Sequence, residues 1–338
     1  MAIRAVTLAD IAREAGTSRS TASRALNGRG YVSARARARL LAAADRMGYV
    51  PNASARTLKQ KTSRVVGVVV TDLGNEFYAR LAAGIEQTLR EADHQMVLVA
   101  DNSDSEQELR GIRTFIAMRA AGVIMTPAND ASGALLARHD VRIVEVDRRL
   151  ADVPCDAVVI DNQRGAQDAT EHLLELGHRR IGILAADTDW TTDAGRVGGY
   201  RLAHDQGGVP VDERLIVRIG FHAPDAETKI DALLDDGSPT AIFAANNPLA
   251  EAAWNVLRGR GLALPRDVSL VAFDDVPWMT MVEPGITVIA QPTIEMGRRA
   301  ARLLLARVDD GVREPQVELL QPTLVVRGST GPPSASRG

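Results

Sequence analysis

The chain has 338 residues, with 40 Lys and Arg against 43 Asp and Glu, 45% hydrophobic residues and one cysteine. That profile fits a soluble globular protein of two or three domains. No apolar run reaches membrane-spanning length, and Met1 to Thr7 lead into a polar helical pattern without an apolar export segment. Cys155 alone cannot close an internal disulfide, so the expectation is a cytoplasmic protein that meets no membrane.

The net charge of -3 is a cancellation. Residues 1 to 64 carry 13 basic side chains against Asp10, Glu14 and Asp45, a balance of +10, while the remainder carries 27 basic and 40 acidic, a balance of -13. A small basic module followed by a large acidic body suits a segment that meets a polyanion; a solvated, Arg-rich helical surface is the plainer alternative.

In chain order, Thr7 to Asp10 form a capping box with Asp in the place of Glu, followed by Leu8, Ile11, Ala12 and Ala15 at helical spacing and a stop at Gly16. Ser18 caps a second helix, Arg19 to Leu26, with Ala22, Ala25 and Leu26 inward and Asn27-Gly28 as its end. Ser33 caps a third, whose inner face would use Ala36, Leu40, Leu41 and Ala44; Gly48 closes it and Pro51 prevents its continuation. From Arg64 the period changes. Val65 to Val70 is a continuous apolar run of buried-strand length, and similar runs recur at Met96 to Ala100, Val123 to Thr126, Ile143 to Val146, Val158 to Ile160, Ile181 to Leu184, Ala241 to Ala244 and Ser269 to Phe273. Amphipathic stretches such as Phe77 to Arg90 and Gln107 to Arg119 lie between them. Alternating strand and helix implies doubly wound α/β layers in two side-by-side sheets, with ligands outside the carboxyl ends of the strands. The tail, Gly328 to Gly338, lacks core-forming residues and is expected to be disordered.

Two short helices joined through Gly16-Thr17-Ser18 are a helix-turn-helix candidate, or else an ordinary helical hairpin with surface arginines. In the first reading Arg19, Ser20 and Arg24 would face base edges, because an Arg fork can donate twice to guanine, and Thr17, Ser18, Ser23 and Ser33 would contact phosphate.

The surrounding text is more specific: Val6-Thr7-Leu8-Ala9-Asp10-Ile11-Ala12, Gly16-Thr17-Ser18, Ser23-Arg24-Ala25-Leu26-Asn27, Val32-Ser33 and Gly48-Tyr49-Val50-Pro51-Asn52, then Ala55-Arg56-Thr57-Leu58, Val146-Asp147-Arg148, Asp161-Asn162, Gly177-His178-Arg179-Arg180-Ile181, Ala244-Ala245-Asn246, Phe273-Asp274-Asp275 and Gln291-Pro292. In this order and spacing they resemble the LacI/GalR family of bacterial transcription regulators over nearly the whole chain. The resemblance implies an α/β protein with an all-α helix-turn-helix headpiece (1–51), a hinge (52–63) and a two-lobed, periplasmic-binding-protein-like body (64–327). Its N-lobe would take about 64–161 and 292–321, and its C-lobe about 162–290 and 322–327, ahead of the tail 328–338.

It further implies a homodimer on a pseudo-palindromic double-stranded DNA operator, a repressor of a carbohydrate-utilisation operon controlled by a small sugar-like effector. Thr7 and Asn27 join the DNA-facing set, as do Asn52, Ala55, Arg56, Leu58 and Lys59 of a hinge that becomes helical on DNA. Leu58 would be levered into the minor groove, although residue type alone favours a core contact in a linker. Asp72, Asn75, Phe77, Arg148, Arg196, Asn246 and Asp274 match effector-cleft positions, and Trp190 and Trp278 belong either to the cleft edge or to lobe packing.

Two positions depart from the family pattern: Asn247 where Asp is common, and Glu76 where Pro is common. The tail lacks leucine heptads, which favours a dimer over a tetramer. A nucleobase or nucleoside effector, gripped by Arg148 and Arg196, is the alternative within the class. A transport-associated sugar-binding protein is remoter, since it needs an export signal and has no use for a basic headpiece. Enzyme chemistry finds no support: Gly28-Arg29-Gly30 follows no strand, and His94, His139, His172, His178, His204 and His222 are scattered. Neither metal nor cofactor is expected.

Overall fold

The computed structural model describes residues 6–26, 30–49, 63–150, 154–188, 190–220, 225–310 and 314–334. The chain divides into two compact units, Met1–Ser63 and Arg64–Gly338.

The first unit holds α1 (Leu8–Glu14), α2 (Arg19–Leu26) and α3 (Ala34–Arg46). Thr7 caps α1 reciprocally: the Asp10 amide donates to Thr7 Oγ1, and the Thr7 amide donates to the Asp10 carboxylate at 3.0 Å. Gly16 then turns the chain at φ +59°, a left-handed conformation that costs glycine little. Ile11, Ala12, Ala15, Ala22, Ala25, Leu40, Ala43 and Ala44 make the core. Leu41, expected inward, is exposed. It lies about 100° around the helix from Leu40, and Ala43 and Ala44 complete the buried stripe instead.

The second unit is two lobes. Sequence places β1 (Val65–Val70), α4 (Glu76–Glu91), β2 (Gln95–Ala100), α5 (Ser105–Ala117), β3 (Gly122–Met125), α6 (Asp130–Arg138), β4 (Arg142–Asp147) and β5 (Asp156–Ile160) in the first. The second begins with α7 (Asn162–Glu175) and continues through β6 (Ile181–Ala186), α8 (Thr191–Gln206), β7 (Ile216–Ile219), α9 (Ala226–Ala232), β8 (Ala241–Ala244), α10 (Asn247–Gly259), β9 (Ser269–Phe273), α11 (Trp278–Met281) and β10 (Thr287–Ala290). The chain returns to the first lobe for α12 (Thr293–Asp310) and β11 (Val317–Leu320), then to the second for β12 (Thr323–Val325). The sheets run β11-β5-β4-β3-β1-β2 and β12-β10-β9-β8-β6-β7.

Strands β3, β6, β8 and β9 are buried throughout, as helices on both faces of a parallel sheet require. Strands β7, β11 and β12 escape the apolar-run reading because they are short, part-exposed edges. Helices α4 and α12 cross at glycine: a Cβ on Gly84 would meet the Ile294 carbonyl at 2.1 Å, and one on Gly297 would meet the Leu81 carbonyl at 2.2 Å. Alanine, ordinarily the better helix former by about 1 kcal/mol, would force these backbones apart.

The expected disordered tail is a correction for residues 328–334. Ser329 is fully buried: its hydroxyl donates to the Leu270 carbonyl at 2.6 Å and accepts from the Thr287 amide at 2.8 Å, and its carbonyl accepts from the Leu270 amide at 2.9 Å. Composition measures the capacity to build a core, and this segment needs none, because it hydrogen-bonds to strands already formed.

Candidate functional site

On the first unit, α2 presents Ser18, Arg19, Ser20 and Arg24 to solvent, with Ser23 half-buried. The hydroxyls are not idle. Ser18 Oγ accepts from the Thr21 amide at 3.2 Å and pairs with Ser20 Oγ at 2.9 Å, while Ser33 Oγ caps α3 through the Ala36 amide at 3.4 Å. Arg24 Nε donates to the Ser20 carbonyl at 3.4 Å, which lays the side chain along the helix. Thr17 is a correction as a phosphate contact: its Oγ1 is buried inside the turn and without a hydrogen-bond partner. Asn27, Asn52, Ala55, Arg56, Leu58 and Lys59 lie outside the described residues.

In the second unit a cavity of about 520 Å3 opens between the lobes at the carboxyl ends of their strands. Of the nine expected residues, Asp72, Asn75, Phe77, Trp190, Arg196, Asn246 and Asp274 line it. Three of them are placed by local turns and caps, and Arg196 by longer-range bonds. Asp72 Oδ1 takes the Gly74 amide at 2.7 Å in the turn after β1, and Asn75 and Asn246 cap α4 and α10 through the Phe77 and Leu249 amides at 3.0 and 2.9 Å. Arg196, buried on α8, donates to Asn162 Oδ1 at 2.9 Å and the Ala245 carbonyl at 2.6 Å, with its guanidinium 3.9 Å from the Phe273 ring.

Arg148 is in place but one layer down. Fully buried, it donates to Thr71 Oγ1 and lies 3.4 Å from the Trp190 ring, so one lobe's cation supports the other lobe's aromatic wall. Its Nε and Nη1 have no hydrogen-bond partner. Trp278 is a correction: it packs on Trp254 at 6.3 Å in the second lobe's core, outside the cavity lining. The short α11 begins at Trp278 and includes the buried Met279, which draws that segment toward the core.

Sequence reasoning missed Tyr78, Asp147, Asp193 and Gln291 in the lining, and gave Asn247 only as a lost carboxylate. Asn247 Nδ2 donates to Asp274 Oδ2 at 2.9 Å and, across the cleft, to Asn75 Oδ1 at 3.0 Å. An aspartate there would set two carboxylates together. Asp147 and Asp274 end the third strand of each sheet and share a left-handed backbone, φ +72° and +75°. Such conformations cost non-glycine residues about 1–3 kcal/mol and cluster at binding sites. Burial pushes the Asp147 carboxyl up to about 6, against the pull of Arg148. The Asp after an apolar strand in Val146-Asp147 repeats Phe273-Asp274, and that echo was the available signal.

Residues 7–52 match the family described as bacterial regulatory proteins, lacI family, and residues 170–330 match a periplasmic binding protein-like domain. The HTH-type transcriptional regulator DegA of Bacillus subtilis (strain 168) is 35% identical over 332 residues, 96% of this chain and 98% of the relative. A solved complex of the transcriptional regulator CelR with cellobiose is 32% identical, with a TM-score of 0.73 over 96% of this chain and 99% of that one. A lac repressor dimer bound to operator and the anti-inducer ONPF is 25% identical, with a TM-score of 0.84 over 97% of this chain and all of the other.

Proposed function

Because the chain belongs to the lacI family of bacterial regulatory proteins, and so is a DNA-binding transcriptional regulator rather than an enzyme, we propose that it represses a carbohydrate-utilisation operon under control of a small sugar. The observation that carries the effector reading is the interlobe cavity itself. Its buried Asp147, Asp193 and Asp274 accept from hydroxyls, while Asn246 and Arg196 add amide and cationic donors beside the apolar faces of Phe77 and Trp190. A cellobiose complex in a structural relative supports the same class.

The protein acts as a homodimer with one headpiece on each half of a pseudo-palindromic operator, a reading supported by the operator-bound lac repressor dimer. Arg19, Ser20 and Arg24 face base edges and Thr7, Ser18 and Ser33, at helix starts, face phosphate; Arg56 and Lys59 flank the Leu58 wedge. Effector bound between the lobes changes their angle and with it the spacing of the two linkers, which lowers operator affinity.

Operator affinity and thermal stability measured against a panel of sugars and nucleosides test this. A cognate sugar at about 100 times its dissociation constant stabilises the chain by about 2.7 kcal/mol and weakens operator binding. A response to nucleosides alone would replace the sugar, and a bound ligand without effect on operator affinity would remove the coupling. Arg24→Ala relaxes preference at one operator position by about 1–3 kcal/mol.

A further inference from the structure

A second cavity, of about 470 Å3, lies beside the segment where β5 hands the chain to α7 and so from one lobe to the other. That volume is within the range of small-molecule sites, about 300–1,000 Å3. Both lobes build it. Leu150, Val159, Ile160 and Leu319 form an apolar wall from the first lobe, and Gln163 and Thr191, in the first turns of α7 and α8, face it from the second. Asp147, Arg149, Asp161 and Asn162 add polar groups.

Some of this polarity is left unused. Asp147 is only 7% exposed, and among the described residues its carboxylate accepts no hydrogen bond, yet it walls both this cavity and the main cleft. Arg149 Nε is buried without a hydrogen-bond partner, 4.0 Å from the Glu145 carboxylate. A buried donor left unmatched is costly, and an occupant supplying a hydroxyl oxygen recovers that loss while its proton can go to Asp147. Asp147 and Asp161 repel an anion, Arg149 repels a cation, and the wall offers no aromatic face for a heterocycle to stack on. What remains is an uncharged ring with hydroxyls on one side and C–H groups on the other.

We infer that this cavity is a second ligand site, separate from the main cleft, which takes one neutral, hydroxyl-rich ring. Its occupant spans the lobe crossing at 160–163 and touches Asn162, whose Oδ1 holds Arg196 of the main cleft at 2.9 Å. It also lies against the Arg149 amide to Thr191 Oγ1 bond, 3.4 Å, which joins the lobes. The two sites therefore communicate through Asn162 and Asp147.

The test is calorimetric titration of the full chain with glucose, galactose and ribose, counting binding events per protomer. Two events are expected with at least one sugar. Leu319→Trp, which fills the cavity from an exposed strand position, and Gln163→Leu, which removes a polar group from an exposed helix start, each abolish one event and leave the other within twofold. Trp190→Ala weakens that other event at least tenfold and spares the first. A single event that Trp190→Ala removes overturns the second site and leaves the sugar reading of the main cleft intact. Two events that both cavity variants leave unchanged also overturn it, as does no event with any of the three sugars, an outcome that leaves the main cleft to the wider sugar panel.

Discussion

The two lobes of the body repeat one strand order, yet they receive their sixth strand in opposite directions. β11 joins β5 in parallel, whereas β12 joins β10 antiparallel. Five strands in each sheet are wound locally, and the sixth is delivered by a chain that has already crossed between lobes, so its direction follows the crossing. The seams differ to match. In the first lobe Asp156, fully buried, takes Arg307 Nη2 at 2.8 Å, Arg307 Nε and the Gln316 amide at 2.7 Å. In the second the fully buried groups of the fastening are neutral: Ser329 bonds Leu270 and Thr287, and Gly331 bonds His178 and Ser269, while the ion pair of Arg327 with Asp275, 2.7 Å, is part exposed. One edge is held by a charge pair on a fully buried carboxylate, and the other by hydroxyls, backbone and a part-exposed pair.

That contrast predicts unequal penalties. Arg307→Met leaves the Asp156 carboxylate buried without its cation and should cost about 3–5 kcal/mol in urea unfolding, with exchange protection lost first along β11 and β5. Ser329→Ala strands the Thr287 amide and should cost about 1–3 kcal/mol, with protection lost along β9 and β10. Equal costs for the two variants would break the comparison. A loss confined to one lobe in each case would sharpen it into two separately fastened units.

Most interior strands were legible because a strand covered on both faces is largely apolar, as in Val65 to Val70, whereas the interior β10 was not, since Thr287 to Ala290 is short and opens on a threonine. The edges were not, since Val317 to Leu320 is alternately exposed and its pairing is decided by a partner 160 residues away in sequence. At the cleft, residues fixed by local grammar were readable: Asn75 and Asn246 are helix caps, and Asp274 ends a strand. Asn247 was not, because its worth lies in reaching Asn75 in the opposite lobe. Trp278 was misplaced because residue type suggests a ligand wall as readily as a core, and only packing on Trp254 decides between them.

The smallest expected effect has opposite signs in the two lobes. Burial raises Asp101 and Glu145 to about 7 and Asp147 to about 6, and raises Glu108, all in the first lobe. In the second it lowers His172, His178 and His204 below their usual 6.5. A carboxyl raised by folding takes up protons as the chain folds, so its contribution is fully present at low pH and declines as pH climbs from the ordinary carboxylate range through about 6 to 7. A histidine lowered by folding releases them, so its contribution is full above 6.5 and declines as pH falls below it. Between pH 5.5 and 8, amide exchange corrected for intrinsic rates should therefore show β2, β3 and β4 better protected at the acid end. The Leu270 and Ser329 amides, in the seam that His178 holds, should be better protected at the alkaline end. Parallel changes in both lobes would mean that the body opens as one unit, and that the difference between its seams has no consequence below global unfolding.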